Sequence, residues 1–209
     1  MALLIARHGE TALNVAGILQ PADTPLSERG EQQAFALGRR LARDHRVAAV
    51  ISSDLPRALR TAELATQALA LRIEAHPVWQ ERNFGALRGR TVDSLGFDPL
   101  TLREAPEAGE SLAQFEVRVA QAWVQLCSRL QNMGPDEDLL LVTHGLVVRA
   151  LLAAHIEDGA QALLLAPPPN ASLAVVSNDA GRPRLVLGPC AAHWHSGSGG
   201  RAGSAARGV

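Results

Sequence analysis

The chain has 209 residues and a mass of 22.1 kDa, enough for one domain with a sizeable buried core. With 47% hydrophobic and 20% charged residues, a formal net charge of −1 and an isoelectric point of about 6.7, it falls outside the disordered, fibrous and strongly basic nucleic-acid-binding classes. All 20 residues counted as Lys or Arg are arginine and tyrosine is absent, which removes Schiff-base chemistry, a phosphate-loop lysine, a Ser-Lys dyad and a tyrosine nucleophile.

The chain opens on Leu3-Leu4-Ile5-Ala6, a continuous apolar run of the kind shown by a strand buried on both faces of a parallel sheet. It is too short and lacks the basic start of a signal peptide, and no stretch reaches the ~20 apolar residues of a spanning helix. A cytoplasmic protein with no membrane contact is expected. The run stops at Arg7-His8-Gly9. After a polar loop, Ser27 is placed to cap a helix carrying Ala34, Leu37, Gly38 and Leu41 on one face. Val47 to Ile51 reads as the next strand, and Pro56 opens a second helix with Ala58, Ala62, Ala65 and Leu69 at helical spacing.

Residues 72–79 read as a short strand, and 80–110 as a long irregular stretch suited to a cap or substrate-facing segment. Ser111 and Gln114 form a capping box for a helix that turns Leu112, Phe115, Val119, Ala122, Leu126 and Leu130 inward. Leu139-Leu140-Leu141-Val142 is another fully apolar strand, stopping at Thr143-His144-Gly145. A buried helix over 146–154 and strands over 172–177 and 184–187 complete the pattern. Strand and helix alternate, so the class is α/β. One domain is expected over 1–195, followed by a Gly, Ser, Ala and Arg-rich disordered tail over 196–209.

Two buried strands thus end in His-Gly, more than a hundred residues apart. Ligands of open α/β sheets bind outside the carboxyl ends of the strands, which predicts one crevice for His8 and His144. Gly145 permits close approach of backbone N–H groups to a ligand there. Arg7 joins the first imidazole directly, and Arg57 sits in the first turn of a helix, where the macrodipole favours an anion. In a chain without lysine, arginine is the cationic clamp available for phosphate, and its fork binds phosphate bidentately. No metal is expected, because H-x-E, H-E-x-x-H and H-x-H-x-D spacings are missing and His193-Trp194-His195 adjoins the tail. G-x-S-x-G and G-x-G-x-x-G are also missing, against a serine hydrolase and a dinucleotide enzyme. Cys127 and Cys190 are too few for a disulfide framework.

Arg7-His8-Gly9-Glu10-Thr11, with Asn14 following, resembles the signature of the histidine phosphatase superfamily, the phosphoglycerate mutase-like proteins. Further blocks match in order: Asp23-Thr24-Pro25-Leu26-Ser27 with Gly30, Ser53-Asp54-Leu55-Pro56-Arg57-Ala58, Glu81 with Phe84-Gly85, Gly109-Glu110-Ser111, and Val142-Thr143-His144-Gly145. The resemblance spans about residues 3 to 188. It implies a three-layer α/β/α sandwich around a mostly parallel sheet. It also implies His8 as nucleophile, forming a phosphohistidine, with Arg7, Asn14, Arg57, His144 and Gly145 around the phosphate. Glu81 is implied as general acid and then base. From spacing alone Glu81 reads instead as a surface carboxylate paired with Arg82 or Arg88, so its role rests on the resemblance.

The implied activity is metal-independent hydrolysis of small, sugar phosphate-like phosphomonoesters, with no cofactor and no nucleic-acid partner. A cofactor-dependent phosphoglycerate mutase stays open, as does a non-catalytic phosphate-binding module, and a homodimer stays open as the assembly state. Leu13 stands where relatives commonly carry an aromatic residue, and Gln20-Pro21-Ala22 departs from the usual glycine-containing loop. Both departures lie at the rim, where they bear on substrate shape. The Pro167-Pro168-Pro169 run has no role legible in the sequence.

Overall fold

The computed structural model describes residues 1–165, 167–179 and 182–195. Six strands form one sheet: β1 (Ala2–Arg7), β2 (Val47–Ser52), β3 (Ile73–Ala75), β4 (Asp138–Thr143), β5 (Leu173–Asp179) and β6 (Arg182–Cys190). Seven helices are seen among the described residues: α1 (Ala12–Val15), α2 (Glu28–Asp44), α3 (Pro56–Thr66), α4 (Leu112–Gln131), α5 (Gly145–His155), α6 (Gly159–Leu165) and α7 (Ala192–His195). The strand order is β3-β2-β4-β1-β5-β6, with the first four parallel and β5 and β6 antiparallel. The fold is the expected α/β architecture with a mostly parallel sheet.

Its layers follow from how the strand residues alternate. Leu3, Ile5, Leu139 and Leu141 face one core, shared with Phe115, Val119 and Leu126 of α4 and Val147 and Leu151 of α5. Leu4, Ala6, Leu140 and Val142 face the other, against Leu37 and Leu41 of α2 and Ala58 and Ala62 of α3. With both faces covered, neither strand needs a polar side chain along its length, hence the unbroken apolar runs. Ser27 caps α2 by accepting the Gly30 N–H, and Ser111 and Gln114 form the capping box of α4. No helix among the described residues is long and apolar enough to cross a membrane.

The expected strand over 72–79 shrinks to Ile73–Ala75, because Pro77 has no N–H for a ladder and starts a 3₁₀ turn over Pro77–Trp79. Leu69 falls outside α3, in a 3₁₀ turn over Gln67–Leu69 that ends at Ala70 with φ 51°. The last two strands run longer than their apolar cores suggest, α1 lies in the stretch read as a polar loop, and α6 in one given no element. Residues 80–110 hold two 3₁₀ turns, Gly85–Leu87 and Val92–Leu95. The segment docks on the body where Gly89 N–H meets the Leu19 carbonyl at 2.7 Å and Leu19 N–H meets Arg90 at 3.0 Å. The expected tail over 196–209 lies outside the described residues.

Helices α2 and α3 approach through Gly38, where a Cβ would lie 2.7 Å from the Ala65 carbonyl oxygen. Gly38→Val is therefore expected to force the two helices apart and lower stability by about 1–3 kcal/mol. Thermal melts would show this as a reduced Tm, with kcat below the transition unchanged because Gly38 is remote from the strand ends described next.

Candidate active site

The pairing of β1 with β4 is parallel and places Arg7 opposite Thr143. The next residue on each strand is therefore a histidine at the same height. His8 N–H donates to the Thr143 carbonyl at 2.9 Å, and Ser53, after β2, donates its N–H to Val142 at 2.9 Å. Three strand ends thus open on one point, and the rings of His8 and His144 lie 5.2 Å apart, tilted by 58°. Both histidines are buried.

His8 Nδ1 lies 2.6 Å from the Gly9 carbonyl oxygen. A carbonyl can only accept, so Nδ1 carries the proton and Nε2 keeps its lone pair. Burial pushes the His8 pKa well below 6.5, and the Arg57 and Arg7 charges push it further. Its hydrogen bond to Gly9 opposes them without prevailing. His144 is driven the same way, by burial first and then by Arg57, His8 and Arg7. Its Nε2 shares a 2.8 Å hydrogen bond with Ser53 Oγ, while its buried Nδ1 has no protein partner.

The two guanidiniums are as buried as the imidazoles. Arg7 donates from Nη1 to the Pro168 carbonyl at 2.7 Å. Arg57 donates from Nη1 to Pro21 at 3.2 Å and to Ala22 at 3.4 Å. Both Nε atoms are buried without a partner. Burial lowers each pKa to about 10, with Glu81 pulling back upward, so both remain charged at neutral pH. Neither forms a hydrogen bond or ion pair with a carboxylate. Desolvated cations with unsatisfied donors are costly. Arg60, by contrast, is a surface residue paired with Glu31 and Glu63.

Glu81 lies at the edge of this cluster. Its Oε1 accepts the Arg82 N–H and its Oε2 accepts the Leu146 N–H at the start of α5, both at 3.0 Å. Burial raises its pKa against the opposing pull of those N–H groups and of Arg57 and Arg7. The reading of Glu81 as a surface partner of Arg82 or Arg88 is overturned, because the Arg82 guanidinium points away, onto the carbonyls of Leu102 and Glu110. Gly145 opens α5, and a Cβ there would lie 3.4 Å from Arg7 Cζ. The guanidinium thus lies against the helix start, in ordinary van der Waals contact with the Gly145 position.

Asn14 sits on α1, its Oδ1 accepting the Thr11 N–H at 3.2 Å and the Asn170 side-chain amide at 3.1 Å. It reaches the site through Asn170, which also donates to the carbonyls of His8 and Gly9 at 3.2 and 3.3 Å. Sequence reasoning gave no role to Asn170, Pro168, Ser53 or Thr61. Thr61 Oγ1 accepts the Gly9 N–H at 2.9 Å and donates to the Arg57 carbonyl at 2.7 Å, coupling the turn after β1 to the first turn of α3. The Pro-rich run thus has a function, since its backbone orients Arg7. Among the described residues no group of three His, Cys, Asp or Glu side chains could hold a metal ion.

The model of the histidine phosphatase superfamily (branch 1) matches residues 3–189. A protein of Erwinia tasmaniensis named "Probable phosphoglycerate mutase GpmB" is 36% identical over 160 residues, covering 71% of this chain and 72% of its own. The metal-independent phosphoserine phosphatase of Arabidopsis thaliana is 33% identical over 186 residues, covering 83% and 75%. Among solved structures, the alpha-ribazole phosphatase of Shigella flexneri superposes with a TM-score of 0.78 at 26% identity, covering 91% of this chain and 97% of that one. A mycobacterial glucosyl-3-phosphoglycerate phosphatase does so with a TM-score of 0.75 at 28% identity, covering 90% and 98%. The chain belongs to the histidine phosphatase superfamily.

The buried imidazoles carry a sign for stability. Above pH 6.5 they are neutral in both folded and unfolded chains; as pH falls below 6.5 the unfolded chain gains protons that the folded one refuses. Each should then cost the fold about 1.4 kcal/mol per pH unit down to its own folded pKa. Denaturant melts between about pH 7 and about pH 5.5 should show this slope, and His144→Gln should make it shallower.

Proposed function

We propose that the protein is a metal-independent phosphatase of small phosphomonoesters that works through a phosphohistidine at Nε2 of His8. The observation that carries this reading is the 2.6 Å hydrogen bond from His8 Nδ1 to the Gly9 carbonyl. It leaves a lone pair on Nε2 in a pocket whose other charged walls are the guanidiniums of Arg7 and Arg57.

In the first half-reaction, His8 Nε2 bonds to phosphorus as the ester P–O bond breaks. Protonated Glu81 gives its proton to the leaving oxygen, so the alcohol departs neutral. Its raised pKa enlarges the protonated fraction, and the proton is needed chiefly when the leaving group is a poor one. Arg7 and Arg57 take the charge spread over the equatorial oxygens, and His144 faces the same oxygens from the neighbouring strand end. In the second half-reaction the Glu81 carboxylate takes a proton from water while the water oxygen attacks phosphorus. The P–N bond breaks, orthophosphate leaves, and His8 is neutral again.

One observation favours a second reading, phosphoglycerate mutase: the 36% identity to the Erwinia protein of that name. The two differ in the acceptor of the phosphoryl group. A mutase must return it to a second hydroxyl in a closed, dry site, and the segment between Glu81 and Ser111 is short, with no lysine to add to the clamp. Hydrolysis of p-nitrophenyl phosphate in EDTA without isomerisation of 3-phosphoglycerate supplied with 2,3-bisphosphoglycerate is expected. Isomerisation outpacing hydrolysis would reverse the assignment.

His8→Ala should abolish turnover and acid-labile phosphate incorporation; a variant retaining more than a few per cent of the rate would exclude this covalent route. Arg57→Lys should lower kcat/KM by more than tenfold, roughly the loss of about 1.4 kcal/mol or more of transition-state contact, because one ammonium cannot reproduce a planar fork. Steady-state kinetics of that variant give the check.

A further inference from the structure

Glu81 lies on a stretch with no helix or strand ladder to fix it, between the turns Pro77–Trp79 and Gly85–Leu87. Yet a proton donor must be held closely, since a displacement of ~1 Å can cost about 10²-fold in rate. Beyond the two amides that meet its carboxylate, the backbone on both sides of Glu81 is tied to one residue of α4. Arg118 donates from Nη1 to the carbonyls of Val78 at 2.8 Å and Gln80 at 2.9 Å. Its Nε and Nη2 meet the two carboxylate oxygens of Glu110 at 2.9 and 2.7 Å.

Glu110 carries the grip to the other side. Its Oε2 accepts the Asn83 N–H at 3.3 Å, and its own N–H donates to the Asn83 carbonyl at 2.8 Å. One guanidinium therefore holds the residue before Glu81 directly and the residue two after it through a carboxylate. The Arg82 side chain reinforces the same frame by donating to the Glu110 carbonyl at 3.2 Å. Arg118 itself forms no contact with Arg7, His8, Arg57 or His144.

We propose that Arg118, locked bidentately onto Glu110, is a positioning residue that holds the Glu81 carboxyl where it can protonate the leaving oxygen. The inference rests on Glu81 being the general acid. The fork geometry matters more than the charge, because a partly exposed ion pair contributes little by attraction alone, whereas four acceptors in fixed directions need the planar donors of arginine. Lysine retains the charge and loses the frame. The Arg118 charge also adds to the field that keeps His144 neutral, so the α4 side of the site bears on both groups.

The test compares glycerol 3-phosphate, whose alkoxide needs a proton, with p-nitrophenyl phosphate, whose leaving group scarcely does. Arg118→Met and Arg118→Lys should each lower kcat on the alkyl ester by at least about tenfold, a sizeable part of what general acid catalysis supplies, and lower it much less on the aryl ester. In a Glu81→Gln background the Arg118 substitution should add little further loss on the alkyl ester, because the two act as a unit.

Equal losses on both esters would mark Arg118 as merely structural, and full additivity with Glu81→Gln would place it outside proton transfer; either result overturns the proposal. If Arg118→Met does not fold, Arg118→Lys carries the same comparison. Leaving-group selectivity in Glu81→Gln with none in the Arg118 variants defeats the positioning role alone. Absence of selectivity in Glu81→Gln defeats the general-acid reading and this inference with it.

Discussion

The site depends on one register. Parallel pairing sets Arg7 against Thr143, and from that alignment the two imidazoles must emerge together at the carboxyl edge of the sheet. A slip of a single residue would turn every side chain of β1 to the opposite face, sending Leu4 into the core built for Leu3 and Ile5. Burial of those apolar rows therefore fixes the position of His8 as firmly as any contact of the imidazole itself. Hydrophobic burial selects the register, and the register assembles the chemistry.

The polar layer above that edge is arranged against its own stability. Two guanidiniums and two neutral imidazoles are packed in one desolvated cluster, where burial lowers the proton affinity of all four and the guanidinium charges lower that of both imidazoles further. The carbonyls of Pro168, Pro21 and Ala22 supply partial compensation without neutralising the cations. A carboxylate bridging Arg7 and Arg57 would settle the electrostatics and fill the position proposed for phosphate at once. Glu81 instead accepts the backbone amides of Arg82 and Leu146, which keeps it beside the cations without closing the space between them. On the proposed function, that unsatisfied state is what would make the clamp selective for an anion.

The strands and the paired histidines were legible because doubly buried strands leave unbroken apolar runs, and their abrupt ends mark the ligand edge. Ser27 and Ser111 were legible because caps follow local spacing. Glu81 was not legible from spacing, since the segment around it has no period, and the family resemblance alone distinguished it from a surface carboxylate. Asn170 and the Pro168 carbonyl left no local signal, because their partners His8 and Arg7 are 162 and 161 residues away. The strand expected over 72–79 failed on Pro77, whose missing N–H outweighed the apolar character of Val78 and Trp79. Helix α6 escaped notice because Ala162, Leu163 and Leu164 show no polar face to set a period.

The support of Arg7 by the Pro168 carbonyl and of the His8 loop by Asn170 ties the first strand to a segment near the end of the chain. During synthesis, His8 and the Arg7 guanidinium leave the ribosome long before the residues that aim them. A nascent polypeptide carrying β1, α2 and β2 thus has the His8 imidazole but not the frame around it, which the last third of the chain supplies. Closure of contacts this distant in sequence is slow relative to helix formation, so the His8 and Arg7 frame is completed only with the sheet.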